Sequence, residues 1–452
     1  MDITNIKQVY LIGIGGIGMS ALARYFRHLD CFVGGYDRTE TQLTRRLVSE
    51  GVMISYADDF DAINEVFKSP DERTLIVYTP AVPSELGILN RFRELGHSLL
   101  KRSQVLGLIS QNKFTIAVAG THGKTTTTAL IAHILTESGR GCSAFLGGLS
   151  ANYDSNILFS DNNIMVVEAD EFDRSFLTLY PDIAVVTSAD ADHLDIYGDK
   201  EQLQDSFRLF LRQLHPEGKR IVRAGLPFEA DIKYSATEIA DAYADNIRIE
   251  GERFYYDYID GNTRFPNVRP GVPGRHNIEN AVAATVVAQL MDIPMAKIAA
   301  ALSSFAGVKR RFEFIVKSDE HIYIDDYAHH PEELRAFFLA VKQLYPQRRL
   351  TAIFQPHLFS RTRDFAADFA DVLNMVDTLL LMEIYPAREM PIAGVDAQML
   401  LDLVGVEEKL LLSPDDIKHY VYSNQPELLV TVGAGNIDLL VKPLKAILEN
   451  EE

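Results

Sequence analysis

The sequence predicts an α/β protein of three domains: an N-terminal Rossmann-like domain, a central P-loop mononucleotide-binding sheet with an edge hairpin, and a C-terminal Rossmann-like domain. Three observations support this prediction. The chain has 452 residues, enough for about three domains of ordinary size. Apolar runs alternate with helical segments, which is typical of parallel sheets covered by helices. This pattern restarts twice, so we expect domains at residues 1–108, 109–314 and 315–452.

The expected elements follow that order along the chain. In the first domain we expect strands at residues 7–15, 31–37 and 74–85, with a helix to about residue 29. In the second we expect strands at 114–120, 163–170 and 183–190, a hairpin with an Asp-Gly turn at about 247–266, and a helix at 276–291. In the third we expect four strands, at 321–328, 349–356, 378–386 and 428–435.

Composition excludes several classes of protein. The net charge is −19, from 63 acidic and 44 basic residues, so we expect no nucleic-acid partner. No apolar run reaches about 20 residues, so we expect no membrane span. The start of the chain lacks the features of a signal peptide, and Cys31 and Cys142 form no metal or disulfide pattern. A cytoplasmic location is therefore expected, as a monomer or a homodimer.

The segment GTHGKTT, residues 120–126, predicts a nucleotide-binding loop. Gly120 and Gly123 allow the backbone to approach phosphate, Lys124 can bridge the terminal phosphates, and Thr125 offers a hydroxyl to Mg²⁺. The longer G-x-x-x-x-G-K-T pattern is only partly met, because position 118 is Val. The placement after an apolar strand and before a helix makes the prediction specific.

A second glycine motif, GIGGIG at residues 13–18, follows the first strand, and Asp37 ends the next one. Alone, the motif is typical of a dinucleotide site with the acid on the ribose. The same geometry binds the diphosphate of any nucleotide-linked ligand, which we favour. The alternative is a tight strand–helix turn without a ligand.

Acidic residues follow two strands of the central domain. They are Glu168, Asp170, Glu171 and Asp173 after one strand, and Asp190, Asp192, His193 and Asp195 after another. Ligands in open α/β sheets lie beyond the carboxyl ends of strands, and Mg²⁺ prefers oxygen ligands. Glu168 with Thr125 therefore suits Mg²⁺, and His193 suits a second ion. The alternative is that several of these acids cap helices.

The third domain carries its polar groups at two strand ends. They are Asp325, Asp326, Tyr327, His329 and His330 after one strand, and His357, Arg361 and Arg363 after the next. Because arginine binds carboxylates through two hydrogen bonds, we expect a site for a small carboxylate. Near the domain boundary, Arg311 in the segment KRRF could reach a γ-phosphate, or the segment could be a solvated basic face.

Nine segments appear in this order along the chain: GIGGIGMSALA, AGTHGKTTTT, EADEFDRSF, DADHLDIY, PGRHNIENAVAA, GVKRRFE, DDYAHHPEE, FQPHLFSRTRDF and GAGNI. Together they resemble the Mur ligase family of peptidoglycan synthesis, over essentially the whole chain. The resemblance implies three domains that bind a UDP moiety, ATP and an incoming amino acid. It is strongest to the branch that joins L-alanine to the carboxylate of UDP-N-acetylmuramate through an acyl phosphate.

The resemblance also implies a role for each matching residue. The ATP loop is Gly120, Thr121, His122, Gly123, Lys124, Thr125 and Thr126, with Asn280 at adenine, Asp326 near ribose and Arg311 at phosphate. The ligands of Mg²⁺ or Mn²⁺ are Thr125, Glu168 and His193. The nucleotide sugar is expected at Gly15, Gly16, Gly18, Asp37 and Ser84, and L-alanine at Tyr327, His329, His330, Arg361 and Arg363. The catalytic set is Lys124, His193, Arg311, His329 and His330, with His329 or His193 as proton acceptor.

Two features differ from relatives within the family. Several members carry a carbamylated lysine, but only Lys200 precedes the helix in question, so no carbamate is expected here. The segment EIYPAREMP departs from the usual form, which leaves the roles of Arg388 and Glu389 open. The alternatives are a related ligase that attaches a murein tripeptide to the same nucleotide sugar, an oxidoreductase and a nucleotide-dependent switch.

Overall fold

A computed structural model of the chain describes residues 3–190, 197, 199–387 and 389–450, without the side chains of residues 173 and 200. Three sheets flanked by helices confirm the predicted α/β class. In the described part of the chain, no helix is both long and apolar enough to cross a membrane.

The first sheet has five parallel strands among the described residues, in the order β3-β2-β1-β4-β5. The strands are β1 (Gln8–Ile12), β2 (Phe32–Tyr36), β3 (Met53–Ser55), β4 (Thr74–Tyr78) and β5 (Leu99–Lys101). The helices are α1 (Ile17–His28), α2 (Gln42–Ser49), α3 (Gly87–Glu94) and α4 (Arg102–Ser110), with short 3₁₀ turns at Ile3–Asn5 and Glu65–Phe67. The prediction missed β3 and β5, the two edge strands, because three residues are too few to show periodicity.

The second sheet has ten strands within the described ranges, in the order β15-β14-β13-β12-β11-β10-β6-β9-β7-β8. They are β6 (Phe114–Ala119), β7 (Ser143–Ser150), β8 (Ser155–Leu158), β9 (Ile164–Glu168), β10 (Ile183–Val186), β11 (Lys219–Arg223), β12 (Ile232–Ser235), β13 (Ala242–Glu250), β14 (Arg253–Asp260) and β15 (Thr263–Val268). The helices are α5 (Lys124–Glu137), α6 (Lys200–Arg212), α7 (Arg275–Leu290) and α8 (Met295–Ser304), with a 3₁₀ helix at Phe172–Thr178. The predicted edge hairpin is confirmed, and a further strand extends it.

The third sheet has six strands in the residues that can be described, in the order β16-β17-β21-β18-β19-β20. They are β16 (Glu313–Lys317), β17 (Ile322–Asp326), β18 (Leu350–Phe354), β19 (Thr378–Leu381), β20 (Glu408–Leu411) and β21 (Leu428–Val432). The helices are α9 (Pro331–Leu344), α10 (Phe359–Asp364), α11 (Ala366–Leu373), α12 (Ala397–Leu403), α13 (Pro414–Asn424) and α14 (Val441–Leu448), with a 3₁₀ helix at Asn436–Leu440. All four predicted strands are present, and the two added strands, β16 and β20, form the edges.

The chain folds as two compact units. The first comprises residues 1–243, 258–265 and 279–304, and the second comprises 244–257, 266–278 and 305–452. In the first unit, one apolar core extends from Leu11 of β1 to Ala117 of β6 and Val186 of β10. The first two sheets therefore share a core, although they belong to separate predicted domains. The predicted domain boundaries stay a prediction.

Central strands of the second and third sheets are buried along their length. Every residue of β10, β17, β18 and β21 is buried, as expected for parallel strands covered on both faces. Such strands have no room for solvated polar groups in their middle. Polar side chains are consequently concentrated at the strand ends, where the candidate sites lie.

Candidate active site

The predicted phosphate loop connects β6 to α5 in the first unit. Gly120 has a φ of +138° and Gly123 a φ of +81°, which residues with side chains rarely adopt. The first turn of α5 points backbone N–H groups out of the helix. This arrangement binds phosphate oxygens, so the geometry supports the prediction made from GTHGKTT.

Polar side chains after β10 hold the loop in place. Ser188 Oγ accepts a hydrogen bond of 2.6 Å from the His122 backbone N–H and lies 2.9 Å from Thr121 Oγ1. The Asp190 N–H donates to Thr121 Oγ1 over 3.1 Å. Two loop residues that were predicted to contact ATP therefore also connect the loop to the neighbouring strand end.

Lys124 lies inside the loop, paired with a buried carboxylate. Its Nζ donates to the Gly120 carbonyl over 2.6 Å and to Glu171 Oε1 over 2.9 Å. The Glu171 side chain is 0% exposed. Burial lowers the pKa of Lys124, but the nearby carboxylates, chiefly that of Glu171, outweigh burial and raise the pKa above its ordinary value. The ammonium is therefore fully charged at neutral pH.

Asn280, the predicted adenine contact, lies against the same loop. Its Oδ1 accepts a hydrogen bond of 3.1 Å from Thr127 Oγ1. A Cβ on Gly123 would lie 2.7 Å from that oxygen, so Gly123 is needed for space as well as for its backbone conformation. The structure brings these residues together across more than 150 positions of sequence.

The acidic end of β9 lies close to the loop. Glu168 is the last residue of β9, and its carboxylate contributes to raising the pKa of Lys124. Thr125, the other predicted metal ligand described here, is buried in the first turn of α5. A hydroxyl and a carboxylate are oxygen donors of the kind that Mg²⁺ prefers, so this donor set fits the ion.

Part of the predicted metal site cannot be placed. Asp192, His193 and Asp195 lie outside the described residues, and so does the side chain of Lys200, which begins α6. Within residues 3–190, 197, 199–387 and 389–450, no group of three or more His, Cys, Asp or Glu side chains is arranged to hold a metal ion.

The N-terminal glycine motif connects β1 to α1. Gly13 has a φ of +85°, and the Gly15 N–H donates to Asp37 Oδ2 over 2.8 Å. Gly16 caps α1, so Gly18 falls in its first turn. Asp37 therefore holds the glycine turn, and its predicted contact with a ligand stays a prediction. Ser84 is exposed, and its hydroxyl donates to Glu85 over 3.2 Å.

In the second unit, the ends of β17 and β21 meet around Arg310. Its Nε lies 3.2 Å from Asp325 Oδ2, and its Nη2 donates to the Gly433 carbonyl over 2.6 Å. The Thr431 hydroxyl donates to the other Asp325 oxygen over 2.6 Å. Asp325 is therefore a structural partner of Arg310.

The turn that bears Arg311 is held by Asp326. Its two carboxylate oxygens accept hydrogen bonds of 2.7 Å from the backbone N–H groups of Phe312 and Ala328. Arg310 and Phe312 have φ values of +64° and +49°, a conformation that bulky residues adopt only when the surroundings enforce it. Asp326 thus fixes the turn. Its predicted place near a ribose stays a prediction.

Asp326 also makes stability depend on pH. Burial raises its pKa to about 6, against the opposing effect of Arg311, whereas an unfolded Asp has a pKa of about 3.9. The protonated form is therefore favoured in the folded state. Its stabilising contribution is complete below pH ~3.9 and is lost as the pH rises through about 6.

We expect Asp326→Asn to remove this dependence. Between pH 4 and 6, the free energy of unfolding of the wild type should fall by about 2 kcal/mol relative to that of the variant. Urea unfolding across this range measures the difference. Asp402→Asn, an exposed carboxylate in the same unit, should follow the wild type. If the difference in unfolding free energy between the wild type and Asp326→Asn does not change across this pH range, the assignment is wrong.

Glu333, in the first turn of α9, connects Arg311 with His329. Its Oε2 accepts a hydrogen bond of 3.0 Å from the His329 N–H and lies 3.4 Å from His329 Nδ1. Its Oε1 is 3.8 Å from Arg311 Nη1. The Tyr327 ring lies 5.1 Å from the guanidinium of Arg311. Two residues predicted to act in the reaction, His329 and Arg311, therefore lie at one carboxylate, and Tyr327 lies against Arg311.

Two other histidines border this cluster. His330 caps α9, its Nδ1 accepting from the Glu332 N–H over 3.4 Å, and its ring contacts Phe365. His276 is partly exposed, and desolvation of its imidazole together with the positive charge of Arg311 lowers its pKa to about 4. His276 is therefore neutral at physiological pH.

The two arginines predicted to bind a carboxylate differ in their surroundings. Arg361 is buried in α10, whereas Arg363 is exposed and paired with Asp364 over 2.7 Å. Glu389 accepts hydrogen bonds from the Ser360 N–H, over 3.0 Å, and from the Ser360 hydroxyl. Glu389, whose role the sequence left open, thus fastens the loop after β19 to the start of α10. Arg388 lies outside the described residues.

Two residues of these sites were missed or left without a role by sequence reasoning: Glu171 and Glu333. Each acts through a partner that tertiary structure supplies. A weak indication existed for Glu333, because it follows His329 by four residues and falls in the first turn of the helix that Pro331 begins. Nothing local distinguishes Glu171 from the other acids after β9.

Three sequence signatures of one family match the chain in succession. They are "Mur ligase family, catalytic domain" over residues 8–114, "Mur ligase middle domain" over 118–288, and "Mur ligase, glutamate ligase domain" over 310–434. Together they cover most of the sequence.

Individual relatives match over their full length. The UDP-N-acetylmuramate–L-alanine ligase of Parabacteroides distasonis is 48% identical, over 99% of this chain and 98% of that protein. The ligase of the same name from Christiangramia forsetii is 45% identical, over 100% and 99%. The crystal structure of UDP-N-acetylmuramate-alanine ligase from Thermotoga maritima superposes with a TM-score of 0.85 at 25% identity, over 98% of this chain and 100% of that chain.

A murein peptide ligase from Psychrobacter arcticus shares the fold, with a TM-score of 0.68 at 24% identity over 99% of both chains. With three matching signatures in order and full-length relatives at this level of identity, the chain belongs to the Mur ligase family.

Proposed function

We propose that the protein joins L-alanine to UDP-N-acetylmuramate in peptidoglycan precursor synthesis, in the cytoplasm. ATP, UDP-N-acetylmuramate and L-alanine would yield ADP, phosphate and UDP-N-acetylmuramoyl-L-alanine. The observation that carries the proposal is full-length similarity, at 48% identity, to a protein named for this reaction. The phosphate loop with a fully charged Lys124 supplies matching chemistry.

In the first step, a carboxylate oxygen of the muramyl group attacks the γ-phosphorus of ATP, and the bond to the β-phosphate oxygen breaks. The products are an acyl phosphate and ADP. Catalysis of phosphoryl transfer is mainly positioning and neutralisation of charge. Lys124 and the N–H groups at the start of α5 supply that neutralisation, and we assign Arg311 to the same phosphate.

In the second step, the neutral amine of L-alanine attacks the acyl carbon and phosphate leaves. The amine must lose a proton as the amide forms. His329, held by Glu333, is our candidate for the acceptor, and His193 is the alternative. Tyr327, His330, Arg361 and Arg363 are assigned to the alanine side.

Thr125 and Glu168 are the described residues that would hold Mg²⁺, or Mn²⁺ in its place. When bound, the ion would neutralise charge on the phosphate oxygens. The residues of the glycine motif, Gly15, Gly16 and Gly18, are assigned to the nucleotide sugar, with Asp37 shaping the turn and Ser84 beside it.

Phosphate release with purified protein tests the proposal. Release should require ATP, UDP-N-acetylmuramate and L-alanine together. Glycine and L-serine should react more slowly, by about 10- to 200-fold, because one methylene or hydroxyl changes the free energy of selection by about 1–3 kcal/mol. Release with L-alanyl-γ-D-glutamyl-meso-diaminopimelate in preference to L-alanine would instead favour the murein peptide ligase. Release that ignores the nucleotide sugar would contradict both.

A further inference from the structure

A small cleft in the first unit is not explained by the phosphate loop. Its polar lining comes from Arg102, Ser103, Glu168, Asp170, Ser175 and Thr178. Arg102 is the first residue of α4, after the last strand of the first sheet. Glu168 ends β9 of the second sheet, and Asp170 follows it. The cleft therefore lies where the glycine-motif sheet and the phosphate-loop sheet meet within one compact unit.

The guanidinium of Arg102 lies between the two sheets at this junction, close to residues of both. Its Nη2 is 3.2 Å from Asp170 Oδ2. Its Nη1 lies 2.9 Å from the position that a Cβ on Gly18 would occupy. Gly18 has no positive φ to explain its lack of a side chain. The Arg102 guanidinium therefore lies directly beside Gly18 at the start of α1.

The pair with Asp170 restrains Arg102 without burying it. The Arg102 side chain is 22% exposed and that of Asp170 is 37% exposed, so the pair contributes little to stability. Asp170 is itself fixed, because its Oδ1 accepts from the Phe172 N–H over 3.1 Å. A guanidinium has five N–H donors in a planar fork, and one carboxylate oxygen does not engage them all. The side chain is thus oriented, and 22% of it stays exposed beside the glycine motif.

From this arrangement we propose that Arg102 binds the diphosphate of the nucleotide sugar and that Asp170 positions its guanidinium. A planar fork matches phosphate oxygens through two hydrogen bonds. The N–H groups at the start of α1 supply the remaining donors. The inference rests on the proposed function, since it names a residue that binds the same nucleotide sugar.

Equilibrium binding to Arg102→Gln and Arg102→Lys tests the inference. Titrations use UDP-N-acetylmuramate, UDP-N-acetylglucosamine, which has the diphosphate but not the carboxylate, and ATP. Arg102→Gln should weaken both UDP-sugars by the same factor, about 10- to 30-fold, and leave ATP binding unchanged. Arg102→Lys should recover part of the loss, since it restores the charge without the fork.

The matched control is Arg73→Gln, which removes an exposed arginine paired with Asp71 at the opposite end of β4; it should bind both sugars as the wild type does. Asp170→Asn should weaken binding less than Arg102→Gln and add nothing in the double variant. Thermal unfolding checks that each variant is folded.

Three results would overturn the assignment. The first is unchanged binding of both UDP-sugars to Arg102→Gln. The second is a loss of affinity for UDP-N-acetylmuramate alone, which would place Arg102 at the carboxylate. The third is a loss of affinity for ATP equal to that for the sugars. Failure of the proposed function is distinguishable, because wild-type protein would then release no alanine-dependent phosphate, whatever the variants bind.

Discussion

Lys124→Met is expected to reduce phosphate release by at least about 10³-fold, the range found when one positively charged contact to a transferring phosphoryl group is removed. Lys124 is positioned for this contact by the Gly120 carbonyl and by Glu171, at 2.6 and 2.9 Å. Release of phosphate in the presence of all three substrates measures the rate. A loss below about 10-fold would contradict the assignment of Lys124 to the phosphates.

The same substitution has a second consequence, which must be separated from the first. It leaves the Glu171 carboxylate buried without its cation, and breaking a buried pair in this way costs about 3–5 kcal/mol. Lys124→Met should therefore also lower the free energy of unfolding by about that amount. Inactivity of the single variant would then have two explanations.

A double variant distinguishes them. Lys124→Met/Glu171→Gln removes the buried charge, so most of the lost stability should return, as urea unfolding would show. Activity should not return, because the phosphate still lacks its cation. Glu171→Gln alone is the matched control, since it keeps Lys124. If the double variant regained both stability and activity, Lys124 would have a structural role only.

The positions of the functional segments can be predicted from the sequence because the strands that precede them are strongly apolar. β6, β9 and β17 are visible as apolar runs, and the residues directly after each of these strands must lie at the carboxyl edge of its sheet. The prediction thereby located Lys124, Glu168 and Asp326 on the correct elements. It did not locate edge strands such as β5, whose three residues carry no periodic pattern.

Pairings across long separations could not be predicted. Lys124 pairs with Glu171 across 47 positions, and Arg102 with Asp170 across 68. The four acids after β9 are alike in local sequence, and only the packing of the sheet decides which of them faces Lys124. Similarly, Asp326 is an acid at a strand end, as many ligand contacts are. Both its oxygens accept backbone hydrogen bonds instead, and the need for these bonds becomes visible only in the folded conformation of the Arg311 turn.

Glu333→Gln should lower kcat/KM for L-alanine by about 100-fold, because it weakens charge-assisted interactions with two residues at once. The glutamine retains the length of the side chain and removes only its charge. Without the carboxylate, His329 and Arg311 lose the partner that orients both. The variant should change the KM for L-alanine and kcat. The KM for UDP-N-acetylmuramate should stay unchanged, because none of the residues assigned to that substrate contacts Glu333.

Glu332→Gln is the matched control, because it removes the same charge from the same first turn of α9. Glu332 is exposed, and both glutamates interact equally with the helix dipole at this end. Any effect common to the two variants is therefore an effect of the dipole or of net charge. If Glu333 orients the reacting groups, Glu333→Gln should lose far more activity than Glu332→Gln does, while the two variants have equal thermal stability. Equal rates for the two variants would show that Arg311 and His329 hold their positions without it.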